Sequence, residues 1–476
     1  MIHSATISRT NFSFKWLVIP LLLLTALAIG VGLLYSEKWT ILIFTVVFAA
    51  VAMFIEPFIG ALFYLICLYA RPMEILEATR GMPIMKFLGL GTLAIWLLHK
   101  LISRDKEFVK APQNILTIAF LLVLIVSQRT NIHGILDIIT GDFSKIIIIY
   151  FLLVNLVTTE KRISATIWIL ILSTLWLSIQ GMLLSRGIVI GDIKMIEGGR
   201  ISSSGIFGDP NDLAQAIVVA IPFVFNLFFY ERFALKKIVL VIIGAVMIYS
   251  FLLTGSRGGF IGFAVAMFLL LRKKVGSIIG LLVLVITLVG LLTVAPSYTV
   301  ERLETASTSE GTGGHRIELW YQGWLMFISN PIFGVGKGNF ANLSEGGYVA
   351  HNSFVHVAAE LGLPGLFIFI GLFYFSFKEL NEARKVYIDK IETTRINVLS
   401  NSLMISIIGF ISTAFFLSRQ YQYLPYILVS LSIAMYQSVY KEKNLKLAFS
   451  FIELRNVLLV TFLFLLVWLG IIKVFL

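Results

Sequence analysis

Charge is scarce in this chain. Asp, Glu, Lys and Arg make up 13% of 476 residues, while 58% are hydrophobic. Soluble domains carry about a quarter charged residues, so this composition excludes a soluble globular protein. Cysteine is scarcer still: only Cys67 is present, inside an apolar run. A single thiol excludes an internal disulfide framework and any cysteine-based metal site, and leaves Cys67 as a small core residue. The chain also lacks a concentrated basic patch. Its net charge of +12 comes from lysines and arginines that alternate with apolar spans, which argues against a nucleic-acid partner and for membrane topology.

What the chain has in abundance is apolar runs of membrane-crossing length. Spans are expected from Trp16 to Leu34, Trp39 to Ile55, Phe58 to Ala70, Ile84 to Ile102, Ile115 to Ser127, Ile146 to Val157 and Ile163 to Leu184. Others follow from Leu213 to Phe229, Ile238 to Thr254, Phe260 to Leu271, Ser277 to Val294, Ser353 to Phe377, Ile396 to Leu417, Tyr423 to Tyr440 and Val457 to Phe475. The reading is an all-α, polytopic membrane bundle of about 12 to 15 transmembrane helices, in one integral membrane domain over residues 1–476. The first span has no small-residue cleavage site after it and reads as an uncleaved anchor.

Lysine and arginine orient the bundle. The groups Arg104/Lys106/Lys110, Lys161/Arg162, Arg232/Lys236/Lys237, Arg272/Lys273/Lys274, Lys378/Arg384/Lys385/Lys390/Arg395 and Lys441/Lys443/Lys446 fall on one side of the alternation, which is read as cytoplasmic. The other side then carries two long loops, Ser185 to Asn211 and Pro296 to His351. Each is expected to fold as a cap on the bundle, the second as a large periplasmic loop subdomain with helical content over 296–352.

That outer side holds residues which topology alone does not explain. Arginine is disfavoured in short outer loops, yet Gly255-Ser256-Arg257-Gly258-Gly259 places one in a tight hairpin. Such a turn either cradles an anion or lets the arginine snorkel to headgroups. In the larger loop Arg316, Trp320, Trp324 and Phe327 recur at helical spacing, as in a helix lying at the bilayer interface, and Asn330-Pro331 ends it. Gly334-Val335-Gly336-Lys337-Gly338 reads as a flexible turn. It follows no strand and lacks the spacing of a nucleotide-binding loop. Upstream, Arg200 precedes Asp209-Pro210, an N-cap with proline at the first helical position, and Asp212 completes a capping-box-like pattern. Finally, His351-Asn352-Ser353-Phe354 sets an imidazole where a polar loop enters a membrane helix, a costly placement that serves chemistry, ligand binding or loop bridging.

Taken in order, Pro210-Asn211-x-Leu213-Ala214, Ser256-Arg257-Gly258, Arg316-x-x-x-Trp320, Pro331-x-x-Gly334-x-Gly336 and His351-Asn352 before Gly362-x-x-Gly365 resemble the O-antigen ligase and O-antigen polymerase superfamily over a core region at 202–365. The resemblance implies a GT-C-like inverting glycosyltransferase that moves a glycan from undecaprenyl diphosphate to an acceptor hydroxyl at the periplasmic face of a bacterial inner membrane. It implies that Arg257 and Arg316 bind the diphosphate and that His351 is the base. His315 and His356 compete for that role. Arg200 and Lys337 are candidates for a third diphosphate ligand, and Asn211, Asn352 and His315 for further substrate contacts.

Guanidinium forks suit a leaving diphosphate, and a neutral imidazole suits a hydroxyl proton. No Asp-x-Asp pair or metal-ligand cluster stands on the outer side, so the arginines are expected to replace a divalent ion, and no cofactor is expected. The expected partners are the lipid-linked glycan donor, a glycan or lipid-core acceptor, and the bilayer. Ligase, repeat-unit polymerase and protein glycosylation remain open at this level. A transporter is disfavoured because midspan charges are nearly absent.

Overall fold

The computed structural model describes residues 47, 49–75, 81–105, 107–129, 131–191, 193–196, 198–304, 312–385, 394–440 and 450–475. The expected first span, Trp16 to Leu34, and most of the second, Trp39 to Ile55, lie outside them. Among the described residues the architecture is helical, apart from one isolated bridge between Ile196 and Arg200. The helices are α1 (Pro57–Ala70), α2 (Ile84–Ser103), α3 (Pro112–Ser127), α4 (Ile132–Thr140), α5 (Asp142–Leu156), α6 (Glu160–Ser185), α7 (Pro210–Tyr230) and α8 (Ala234–Thr254). They continue as α9 (Arg257–Val275), α10 (Ser277–Val294), α11 (Ser297–Glu304), α12 (Thr312–Ser329), α13 (Ser353–Lys385), α14 (Arg395–Ala414), α15 (Tyr423–Tyr440) and α16 (Phe451–Phe475). Short single turns join some of them.

Eight of these helices are long and apolar enough to cross a membrane: α2, α6, α7, α8, α10, α13, α14 and α16. The protein is a multi-pass membrane protein, as the composition requires. Helix bounds follow the expected spans closely, and α10 and α15 coincide with them. The short α4 and α11 and the 18-residue α12 fall in segments between spans.

Burial sorts the bundle into a centre and a rim. In the most apolar stretch of α13, 78% of residues are buried, and in α7 72%, against 11% in α10 and 22% in α2 and α16. Lipid tails are as apolar as leucine, so close approach and polar bonds hold the centre together. Between α7 and α14, Gln215 Nε2 donates to Thr413 Oγ1 at 2.7 Å, Asn226 Nδ2 to Ser402 Oγ at 2.9 Å, and Ser406 Oγ to the Val219 carbonyl at 2.7 Å. Each such bond is worth about 0.6 kcal/mol on average in a membrane.

The expected flexible turn at Gly334 to Gly338 is a backbone lock instead. Gly362 breaks α13 with φ +68°, which leaves carbonyls one turn earlier without helical donors. Val335 N–H donates to the Ala359 carbonyl and Gly336 N–H to the Glu360 carbonyl, both at 2.9 Å, while Leu363 N–H donates to the Pro331 carbonyl at 2.7 Å. A Cβ at Gly334 would lie 2.1 Å from the Glu360 carbonyl carbon, and one at Gly362 2.6 Å from two carbonyl oxygens. Both glycines are there because two backbones touch. Glu360, 1% exposed, completes the lock: Oε1 accepts from Gly338 N–H (2.8 Å) and Phe340 N–H (3.1 Å), and Oε2 accepts from the Tyr421 hydroxyl (2.9 Å).

Candidate active site

Three helix starts and one loop converge at the end of the bundle opposite the basic clusters. At α7, Asp209 caps the helix as expected, accepting from Asn211 N–H at 2.7 Å. Asp212 differs from the expected capping box. Its carboxylate takes a two-pronged bond from Arg419, with Nη2 to Oδ2 at 2.7 Å and Nε to Oδ1 as the second prong. A guanidinium fork outcompetes a backbone N–H for this buried carboxylate because both charges are satisfied at once.

Asn211 ties the elements together. Its Oδ1 accepts from Arg200 Nη2 (3.2 Å) and Ser256 Oγ (2.7 Å), and its Nδ2 donates to Asp209 Oδ1 (2.8 Å). Asn211 therefore positions Arg200 and the start of α9. Ser256 also caps α9 by accepting from Gly259 N–H at 3.1 Å, which sets Arg257 at the first helical position. Gly258 admits a neighbour: a Cβ there would lie 2.5 Å from Phe416. The Phe416 ring in turn carries the Arg316 guanidinium 5.8 Å from its centroid.

A fourth arginine, Arg302 on α11, was not foreseen. Its carbonyl accepts from Arg257 Nε, and its own Nε donates to the Gly255 carbonyl at 3.4 Å. Thr299 and Tyr298 fasten α11 to the last carbonyls of α8 at 2.9 and 2.8 Å. A polar eight-residue segment after a span gives little periodicity to read. The basic residue six positions beyond Pro296 was the available signal.

His351 sits on the loop into α13 with φ +47°, a left-handed conformation that a residue with a Cβ adopts only when its surroundings impose it. Trp320 Nε1 holds the preceding carbonyl, of Ala350, at 3.0 Å, and Asn352 Oδ1 caps α13 by accepting from Phe354 and Val355 N–H. Asn352 is 1% exposed, and its side-chain oxygen is taken up by the cap. Burial first, and then the Arg316 charge, push the His351 imidazole well below its ordinary range, to about 4. Arg316 itself is lowered by burial, Arg257 and Arg302, while Arg200 is lowered to about 10 by burial and Arg302. These mutual effects put Arg200, Arg257, Arg302 and Arg316 in one electrostatic neighbourhood with His351.

The other candidates separate. His315 is exposed and edge-on to Tyr348 at 4.9 Å, although it still acts weakly on His351. His356 is buried, 3.1 Å from Glu360 Oε1 and against the Phe340 ring, so it belongs to the backbone lock. Lys337 is drawn elsewhere, to Asp137 at 3.0 Å, and does not join the arginines. The helix expected at the bilayer interface is α12, but its aromatics pack on protein. Trp324 and Phe327 meet Trp468 of α16 at 5.1 and 6.0 Å. Among the described residues no group of three or more His, Cys, Asp or Glu side chains is placed to hold a metal ion.

Residues 241–370 match the family model described as O-Antigen ligase. The match covers 130 of the 476 residues, about 27% of the chain. It runs from mid-α8 through the first half of α13 and contains Arg257, Arg302, Arg316, Lys337 and His351, while Arg200, Asn211 and Arg419 lie outside it. No curated protein matches the chain.

Proposed function

We propose that the protein transfers a glycan from undecaprenyl diphosphate to an acceptor hydroxyl, with inversion at the anomeric carbon, on the outer face of a bacterial inner membrane. The observation that carries this reading is the meeting of Arg200, Arg257 and Arg302 at the starts of α7 and α9, with Arg316 acting electrostatically with Arg257 and Arg302 and on His351, partly inside the matched segment. In the reaction the acceptor oxygen bonds to the anomeric carbon as the bond to the diphosphate oxygen breaks. The leaving diphosphate keeps that electron pair, and a ring nitrogen of His351 takes the hydroxyl proton. Charge grows on the diphosphate as it leaves, where fixed guanidinium groups stabilise it most.

His351 is neutral in the empty site but a weak base there. A bound diphosphate offsets the Arg316 charge and raises the basicity of the imidazole, so the base strengthens only when the donor is present. This ordering limits loss of the donor to water.

The test is transfer by the full-length protein in nanodiscs, from a lipid-diphosphate glycan to a panel of acceptors. The expected outcome is product with wild type and loss of it in His351→Ala, Arg257→Ala and Arg316→Ala of unchanged thermal stability. One added unit per acceptor identifies a ligase, a ladder a polymerase. Full activity in these variants overturns the site. Solute flux without any transfer product overturns the class.

A further inference from the structure

The turn between α14 and α15, residues 415–422, touches three parts of the arginine site, yet it lies outside the segment that matches the family model. Its groups take different partners in turn. The Phe416 ring carries the Arg316 guanidinium at 5.8 Å and fills the space that a Cβ on Gly258, beside Arg257, would need. The Leu417 carbonyl accepts from Ser353 Oγ at 2.6 Å, and Arg419 N–H donates to the same Oγ at 2.9 Å. The Arg419 guanidinium forks onto Asp212, with Nη2 to Oδ2 at 2.7 Å.

Two of these bonds form one continuous strut across the site. At one end Asp212 adjoins Asn211, which accepts from Arg200 at 3.2 Å and from Ser256 at 2.7 Å. At the other end Ser353 is two residues from His351, so the backbone that carries the imidazole lies within about 7 Å of that link. The strut therefore runs from the start of α7, through Arg419, to the start of α13.

Arg419 is not placed to bind a donor. Its Nε and Nη2 are committed to the Asp212 carboxylate, and its Nη1 donates to the Ser418 carbonyl at 3.1 Å. The Asp212 side chain is 8% exposed. A buried ion pair adds little net stability over an apolar pair of the same size, and its best attested use is to fix the register of the elements it joins. The Arg419 charge also acts on His351, together with Arg316, Asp209 and His315, which sets the guanidinium near the imidazole.

We propose that Arg419 is a positioning residue: through Asp212 and Ser353 it holds the start of α13, and with it His351, against the arginines at the starts of α7 and α9. This assignment rests on the transfer reaction proposed above and adds to it a residue that touches neither donor nor acceptor. Displacing a catalytic group by about 1 Å can cost about 100-fold in rate, so a strut of this kind acts on the chemical step. Because its two links lie in series, opening either one releases His351, and opening both adds nothing.

The test opens the links one at a time in the full-length protein in nanodiscs. Arg419→Gln combined with Asp212→Asn opens the first and removes both buried charges together, so that no unpaired charge is left to unfold the protein. Ser353→Ala opens the second, and Arg419→Lys keeps the charge while losing the fork. Transfer is read as kcat and donor KM, with a lipid-diphosphate glycan and the acceptor that wild type uses. Hydrogen–deuterium exchange over residues 351–357 reads the start of α13 without catalysis. Each opened link should lower kcat by about tenfold or more, leave donor KM within about twofold of wild type and speed exchange over 351–357. Opening both should lower kcat no further, and Arg419→Lys should keep part of the rate. A kcat within about threefold of wild type, losses that multiply when both links are opened, or a loss of kcat without faster exchange overturns the strut and leaves the transfer reaction intact. A raised donor KM with unchanged kcat makes Arg419 a donor ligand and overturns the strut as well. Faster exchange in both variants of a protein that transfers nothing even as wild type upholds the coupling and overturns the reaction.

Discussion

Two cationic regions share the outer end of this bundle, and they are held in opposite ways. In the arginine site guanidinium groups bond to backbone carbonyls: Arg200 to Thr254, Arg257 to Arg302, Arg302 to Gly255. Burial and neighbouring guanidinium groups lower Arg200 and Arg316, and Arg316 in turn lowers His351. Beside Tyr421, Lys145 and Lys337 bond instead to the carboxylates of Asp142 and Asp137. The first arrangement gathers like charges and suits an anion, whereas in the second each ammonium has a carboxylate at hand.

The largest expected effect breaks the first arrangement. His351→Ala should lower the transfer rate by about 100-fold or more, the usual contribution of a general base. Arg316→Ala should cost about 100-fold in kcat through lost stabilisation of the leaving group. Arg257→Lys should also be impaired, because a point charge cannot reproduce a guanidinium fork. Single-turnover rates with saturating donor measure all three, and a rate within threefold of wild type would remove that residue from the chemistry.

A second prediction concerns the joint between the regions. Glu360 receives two backbone N–H groups and the Tyr421 hydroxyl, and contacts His356. Glu360→Ala leaves these buried donors without their acceptor and should destabilise the protein by about 3 kcal/mol. Thermal unfolding in nanodiscs reads it. Glu360→Gln should recover part of the loss, since an amide oxygen still accepts from backbone.

The same joint shows why some of the molecule was legible in the sequence and some was not. Spans such as Ser277–Val294 and Tyr423–Tyr440 were readable because lipid imposes a length and an apolar composition on every crossing helix. Arg257, Arg316 and His351 stood out because topology gave no reason for them on the outer side. The roles of Gly334, Gly362, Asn211 and Asn352 were not readable. Each depends on a backbone or side chain far away in sequence, and a polar residue near a site looks the same whether it binds substrate or caps a helix. Arg302 and Arg419 were missed for a related reason. Both sit in short polar segments whose partners, Gly255 and Asp212, lie more than forty residues away.

The pH dependence sharpens the electrostatic side of the comparison. His351 is held at about 4 against an ordinary value near 6.5. Its proton affinity is lower in the folded protein, so the stabilising effect of the neutral ring is complete above 6.5 and is lost as pH falls toward 4. The acid limb of kcat/KM, which reports the free enzyme, should accordingly lie near 4. In Arg316→Gln the limb should move upward, though not fully to 6.5, because burial is the larger cause and remains. A wild-type limb at 6.5 would mean that neither burial nor Arg316 depresses the base, and an unchanged limb in Arg316→Gln would mean that Arg316 does not act on it.

The smallest effect separates the two regions most cleanly. Arg200→Gln should raise the donor KM about tenfold, as expected when a charge-assisted contact to a phosphate is lost. Lys337→Gln should leave the donor KM unchanged, because its ammonium is committed to Asp137. The stability cost of that second change should stay below about 1 kcal/mol, since Asp137 is 68% exposed and water replaces the lysine. Both variants remove one positive charge from the same outer surface. A general loss of attraction for an anionic donor would therefore move the two KM values together. Only specific contact in the arginine site, with balanced charge at Lys337, moves one and not the other.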